Sequence, residues 1–267
     1  MDRKRANDAV LLVTGAWHVP NHYRKLIDSL ESRDIRTICP TLPTNNNAVP
    51  PNKTFEDDVQ LIRGLAASEA AKGTRLTVVA HSYGGAVSTA ALGELAFPMD
   101  SGGGGGGDTV KGGVVDLLYV TTCPPSEGQS MASMFGGVLP PMFHPQPDGT
   151  LQMDNPEYFF YNDLPPDEVK KAVGMLVAHQ VDAQFAPVNC APGMAAFRTI
   201  PTSYLVCEGD TAMLPQFQEM AVEKLRGEGV DVRVFRCSGG HNAFMSVPGE
   251  VTEVVLKVLK SRRGLQA

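Results

Sequence analysis

Six short runs dominated by apolar residues recur along the chain: "AVLLV" (9–13), "RTICP" (36–40), "RLTVVA" (75–80), "VVDLLYVTT" (114–122), "TSYLVCE" (202–208) and "VDVRVFRC" (230–237). Most are continuous rather than alternating. A strand that is apolar at successive positions has both faces buried, and in a sheet this means parallel strands covered by helices on either side. The segments between them supply those helices: "HYRKLIDSLESR", "TFEDDVQLIRGLAASEAAK", "GGAVSTAALGELAF", "LPQFQEMAVEKLRGEG" and "PGEVTEVVLKVLKSRR" carry apolar residues at helical spacing, the second opened by an N-cap at Thr54 and the last by Pro248. The pattern predicts an α/β fold, a doubly wound, mainly parallel six-stranded sheet.

The rhythm breaks once. Between the fourth and fifth runs lie roughly eighty residues rich in Met, Phe and Pro, where about 10 to 15 would complete a crossover. We therefore expect one domain in three stretches of chain: core at 1–122, a helical cap or lid at 123–200, and core again at 201–267. The run "SGGGGGGD" (101–108) reads as a spacer between helix and strand and not as a phosphate cradle, since no strand immediately precedes it.

A formal charge of −6, with Lys and Arg dispersed apart from the terminal "RKR" and "KSRR", argues against a nucleic-acid partner, which needs a clustered basic face. No stretch is long enough to span a bilayer, and "AVLLVTGAW" is not followed by a cleavage site. Five scattered cysteines without a CxxC pair fit a reducing, cytoplasmic setting better than a disulfide framework.

"VVAHSYGGAV" (78–87) places Ser82 between the end of the third strand and a helix rich in small residues. In a nucleophile elbow the serine sits on a strained strand-to-helix turn, with small residues two positions away on each side so that helix and strand can approach. Gly84 and Gly85 supply the downstream side, and Ala80 replaces the usual upstream glycine. A serine hydroxyl needs a base, itself oriented by a carboxylate, and on open sheets these groups gather at the carboxyl ends of the strands. "TSYLVCEGDTAMLP" leaves its strand into Glu208 and Asp210, and "VRVFRCSGGHNAF" leaves the last strand into His241, so the chain order is serine, acid, histidine. Asp210 is the expected acid and Glu208 the reserve, while Asp116 lies at the wrong end of its strand.

The backbone N–H groups of Tyr83 and Ala16 are the expected oxyanion donors, with Gly15 turning the loop. On the same loop, Trp17 reads equally as a cavity wall or as core, and His18 as a substrate contact or a structural hydrogen-bonding group. The histidines show no HExxH-like arrangement, so neither a metal nor another cofactor is expected. Cys123 lacks an elbow and reads as a packed thiol.

The stretches "TGAWHVP", "AHSYGG", "CEGD" and "GGHNAF" resemble motifs of the α/β-hydrolase superfamily, in particular the compact branch of plant methylesterases and hydroxynitrile lyases. "WHVPNHYRKL", "HSYGG" and "YFFYNDLPPDE" are similar to small fungal hydrolases of polyketide and other secondary-metabolite pathways. The resemblance implies a cofactor-independent serine esterase or thioesterase that acts on an apolar or polyketide-like acyl group, free or on a carrier protein, and releases it as an acid or by lactonisation. The lyases of that branch carry a threonine in the oxyanion loop and a lysine after the histidine, where this chain has Gly15 and Asn242. A lyase and a non-catalytic small-molecule receptor are the competing readings. "SMFGGVLPPMFHP" and "NPEYFFYNDLPP" crowd apolar residues into the cap, either as its own core or as a lid over acyl chains. Met134, Phe143 and Phe159 are its candidate substrate contacts, beside Trp17 and His18.

Overall fold

The computed structural model describes residues 7–98 and 112–261. The glycine run at 101–108, the basic run at 3–5, and Arg262 and Arg263 lie outside them. One sheet holds β1 (Asp8–Val13), β2 (Arg36–Ile38), β3 (Arg75–His81), β4 (Gly113–Val120), β7 (Thr202–Cys207) and β8 (Val232–Cys237) in the order β2-β1-β3-β4-β7-β8. Every pairing is parallel.

Alternation along each strand builds two cores. In β1, Ala9, Leu11 and Val13 join the cluster beneath α2 (Phe55–Ala71), α3 (Tyr83–Leu92) and α7 (Pro215–Gly227), while Val10 and Leu12 join the cluster beneath α1 (Arg24–Glu31) and α9 (Pro248–Ser261). Successive side chains of a strand point to opposite faces, so a strand apolar at every position requires this double cover. Asp116 is buried inside the sheet, where it accepts a hydrogen bond from Ser203 Oγ and is paired with Arg233.

Local signals set the helix starts. Thr54 and Asp57 form a reciprocal capping box at the head of α2, with Thr54 N–H donating to Asp57 Oδ2 over 2.8 Å. Pro215 and Pro248 open α7 and α9 at a position where a missing N–H costs nothing.

Between β4 and β7 the chain is less helical than the expected cap. It contains a 3-10 turn at Ala132–Phe135 and an antiparallel hairpin of β5 (Phe143–Pro145) and β6 (Leu151–Met153). Then follow α4 (Pro156–Tyr161), α5 (Pro166–Gly174), a second 3-10 turn at Asp182–Gln184 and α6 (Ala196–Thr199). The α-helices of this segment begin only at Pro156, because Pro124, Pro125, Pro140, Pro141 and Pro145 before it interrupt the i to i−4 ladder. Among the described residues no helix is long and apolar enough to cross a membrane.

Candidate active site

Ser82 occupies the turn between β3 and α3 with φ 51° and ψ −124°, a backbone that costs a non-glycine residue on the order of 1–3 kcal/mol. Its surroundings fix that conformation. Ser82 N–H donates to Val120 O over 3.1 Å, and Ser82 O accepts from Gly85 N–H at 2.8 Å and Thr122 Oγ1 at 2.7 Å. The two glycines are steric requirements: a Cβ at Gly84 would come within 2.5 Å of Val13 O, and one at Gly85 would collide with Thr122 Oγ1.

His241 follows β8, and Asp210 follows β7. Nδ1 of His241 lies 2.9 Å from Asp210 Oδ2, while Asp210 Oδ1 accepts from the N–H groups of Ala212 and Met213 at 2.8 and 2.9 Å. Gln218 of α7 braces the same loop by donating to Met213 O and Cys207 O. Two cap residues, Asn162 and Asp163, bind the loops from above: Asn162 Nδ2 donates to Gly209 O, and Gly240 N–H donates to Asp163. The reserve acid does not reach the histidine, because the Glu208 side chain is 55% exposed and faces Arg236.

The oxyanion loop turns differently from expectation. The residue with a left-handed backbone is Trp17, at φ 62°, and not Gly15. Gly15 is required for close approach instead, since a Cβ there would lie 3.0 Å from His81 Nδ1 and 3.3 Å from Ser82 Cβ. Trp17 is held by Nε1 donating to Leu151 O at 2.7 Å and N–H donating to Asn45 Oδ1 at 3.2 Å. Gly15 N–H donates to the Tyr23 hydroxyl over 2.9 Å. Among the described residues this leaves the Ala16 N–H, and the Tyr83 N–H in the first turn of α3, as uncommitted donors on the cavity that both residues line.

That cavity measures about 320 Å³ and is bounded by Ser82 and His241 on the sheet side and by Met, Phe, Pro, Val and Leu side chains of the cap. Among the described residues no Lys, Arg, Asp or Glu lines it. Trp17, His18 and Phe143 line it as expected substrate contacts would. Met134 and Phe159 do not; Met131 and Phe160 take those places, and Phe160 stacks on His241 with centroids 5.4 Å apart. An unbroken apolar run such as "YFFY" has no polar member to set the phase of its helix, so the sequence names the run but not the residue.

Beneath the site lies a set of neutral imidazoles. The carbonyl of His241 accepts from His81 Nε2–H at 3.0 Å, so His81 Nδ1 carries the lone pair that accepts the Tyr23 hydroxyl at 2.7 Å. His18 donates from Nδ1 to Ala16 O at 2.6 Å, and its Nε2 faces Tyr161 Oη and Asn242 Nδ2, each at 3.1 Å. Burial first, and neighbouring histidines second, hold the pKa values of His18 and His81 well below the ordinary imidazole value. Burial likewise lowers His22, and takes His179 down to about 3. His18 thus both lines the cavity and serves as a structural hydrogen-bonding group. With these ring nitrogens already engaged, the cluster offers no vacant set of lone pairs to a metal ion. Cys123 is a packed thiol, pushed up to about 11 by burial.

Several of these groups escaped the sequence reading. Asn45 and His179 sit on loops or turns with no motif around them, while Tyr23 and Asn242 lie within motif stretches that give them no part in this network. Asp58 did leave a signal: it interrupts the apolar stripe Phe55, Val59, Ile62 of α2. It is buried, accepts from Tyr83 Oη and Thr44 Oγ1 at 2.7 Å each, and has its carboxyl pushed up to about 6 by burial.

A strained serine between a strand and a helix, with a buried carboxylate and a histidine on the loops after the last two strands of a parallel sheet, defines the α/β-hydrolase arrangement. The sequence model of the alpha/beta hydrolase family matches residues 10–254, and the chain belongs to that family, as a hydrolase of that type. It is similar to a probable hydrolase, R7, of Phoma sp., with 26% identity over 93% of this chain and 97% of that one. It is also similar to the alpha/beta hydrolase nvfD of Aspergillus novofumigatus, with 25% identity over 96% of each chain. Among solved structures the fold matches a pyrethroid hydrolase, PytH, with a TM-score of 0.72 and 19% identity over 96% of this chain and 99% of that one. It matches the Arabidopsis methylesterase MES16 with a TM-score of 0.71 and 17% identity over 94% and 98% of the two chains.

Proposed function

We propose that the chain is a serine acyl hydrolase of the esterase or thioesterase type. One observation carries this reading: Ser82, on a strained backbone, shares a cavity with His241, whose Nδ1 is held by the buried Asp210. With Nδ1 so engaged, Nε2 is the nitrogen left to take the Ser82 proton as Oγ attacks the carbonyl carbon. The Ala16 and Tyr83 N–H groups hold the oxyanion. His241 then returns the proton to the departing alkoxide or thiolate, and water, deprotonated by the same imidazole, releases the acid from Ser82.

Met, Phe and Pro walls of a 320 Å³ cavity without charged side chains favour a small apolar acyl ester or thioester, free or presented by a carrier protein. The pyrethroid hydrolase and the methylesterase among its structural neighbours agree with ester chemistry. Where the acyl chain carries a well-placed hydroxyl, that group competes with water for the acyl-enzyme and releases a lactone, because a tethered nucleophile reaches effective molarities of about 10⁵ M or more. Asn242 beside His241, and Gly15 in the oxyanion loop, disfavour the lyase reading. The test is labelling of Ser82 by a fluorophosphonate together with turnover of a panel of 4-nitrophenyl esters. Mass spectrometry of products from hydroxyacyl thioesters then separates acid from lactone, the acid being heavier by one water. Tight ligand binding without turnover would instead indicate a receptor.

A further inference from the structure

The cavity wall holds one side-chain amide, Gln184, in the 3-10 turn of the cap, and its orientation follows from a chain of hydrogen bonds that begins at the oxyanion loop. Asn45 Nδ2 faces two carbonyls, Gly15 O at 2.9 Å and His18 O at 3.0 Å, so Asn45 Oδ1 is the atom that accepts Trp17 N–H. The same Oδ1 lies 3.0 Å from His179 Nδ1, which must therefore carry the proton. That leaves His179 Nε2 with a lone pair, and the Gln184 nitrogen 3.0 Å away donates to it. Burial keeps His179 from taking a second proton at neutral pH, so the amide cannot flip without setting two acceptors against each other. Gln184 is itself buried and lines the cavity, and with Nε2 committed to His179 its Oε1 has no hydrogen-bond partner among the described residues.

We infer that Gln184 Oε1 is a specificity determinant that accepts a hydrogen bond from a hydroxyl on the otherwise apolar body of the substrate. This rests on the acyl-hydrolase reading of the same cavity and narrows it to hydroxylated apolar esters. A deoxy substrate strips water from Oε1 and returns nothing, whereas a hydroxyl at the right carbon restores the bond. A site built around such a group discriminates against the analogue that lacks it.

Trp17 is the only tryptophan of the sequence and lines the cavity, so its fluorescence reports occupancy without turnover. The probes are methyl octanoate and its monohydroxy isomers, and octyl acetate and its monohydroxy isomers. They are titrated against Ser82→Ala for binding and assayed with the unaltered chain for kcat/KM. We expect one isomer to bind about 10- to 100-fold more tightly than its deoxy parent, with Gln184→Met removing the preference. Gln184→Glu should keep it, since a protonated carboxyl donates to His179 and still presents an oxygen. Equal binding of all isomers by Ser82→Ala overturns the inference, and so does a preference that survives Gln184→Met. Parallel weakening of parent and isomer in Gln184→Met also overturns it, since a residue that only braces the wall behaves in that way. Failure of the acyl-hydrolase reading looks different: no ester is turned over, while the fluorescence preference remains.

Discussion

At the carboxyl edge of the sheet, Trp17, Ser82, Asp210 and His241 are each fixed by directional bonds to named partners, and two of the four hold a left-handed backbone to do so. Across the cavity, Gln184 apart, the cap meets them mainly with apolar side chains that have no direction to satisfy, and Phe135 and Val138 among them remain 39% and 62% exposed. Hydrogen-bonded groups have one arrangement that works, whereas apolar packing tolerates many of similar volume. On the acyl-hydrolase reading, the reaction belongs to the edge and the choice of substrate to the cap. Substitutions should separate the two by the size and kind of their effects.

The largest effect is expected at Ser82. Ser82→Ala should lose on the order of 10⁶ in kcat and all fluorophosphonate labelling, with the fold intact by circular dichroism; persistent labelling would move the nucleophile elsewhere. Asp210→Asn should lose about 10⁴ in kcat, while Glu208→Gln leaves kcat unchanged; steady-state kinetics that reverse this order would exchange the two acids.

Phe160→Ala crosses from edge to cap, since the ring is buried and also stacks on His241. A loss of about 3–5 kcal/mol in urea unfolding is expected, with a raised KM for long acyl chains. Phe159→Ala should leave chain-length preference alone; if it shifts that preference as much as Phe160→Ala does, the cavity is lined otherwise than described.

Proton linkage sharpens the contrast on the edge side. His18, His22, His81 and His179 all have folded pKa values below the ordinary one. Above about pH 6.5 they are neutral in both states; below it the unfolded chain binds protons that the folded chain refuses, so stability falls toward pH 3. Each such histidine contributes a slope of up to about 1.4 kcal/mol per pH unit. Asp58, raised to about 6, works in the opposite direction between that value and its unfolded pKa, but it is one group against four. Tm should therefore drop as pH is lowered from 7 to 5, and a flat profile would show that the histidines are charged when folded. The smallest effect is expected at the rim, where Val138→Ser should change stability by less than about 0.5 kcal/mol and register only in KM for apolar esters.

What the sequence disclosed follows the same division. The strands, their double burial and the order Ser82, Asp210, His241 were legible because each rests on local pattern and on the rule that sites form at strand carboxyl ends. Trp17 as the left-handed residue was not, since glycine is the usual occupant and the groups that hold a tryptophan there, Asn45, Leu151 and Val177 among them, lie far along the chain. The β5–β6 hairpin was missed because its strands are three residues each. Gln184 was invisible for another reason: its meaning depends on His179, Asn45 and Gly15, which no spacing rule connects.

That no Lys or Arg among the described residues lines the cavity bears on how a catalytic cycle ends. On the acyl-hydrolase reading, an acid freed from Ser82 would ionise where no Lys or Arg among the described residues faces it, and an unpaired charge in an apolar enclosure is strongly disfavoured. On that reading the product would be expelled by its own ionisation, and the acid should be a poor inhibitor. A lactone, neutral throughout, would receive no such push and would leave only as fast as its apolar surface parts from the walls.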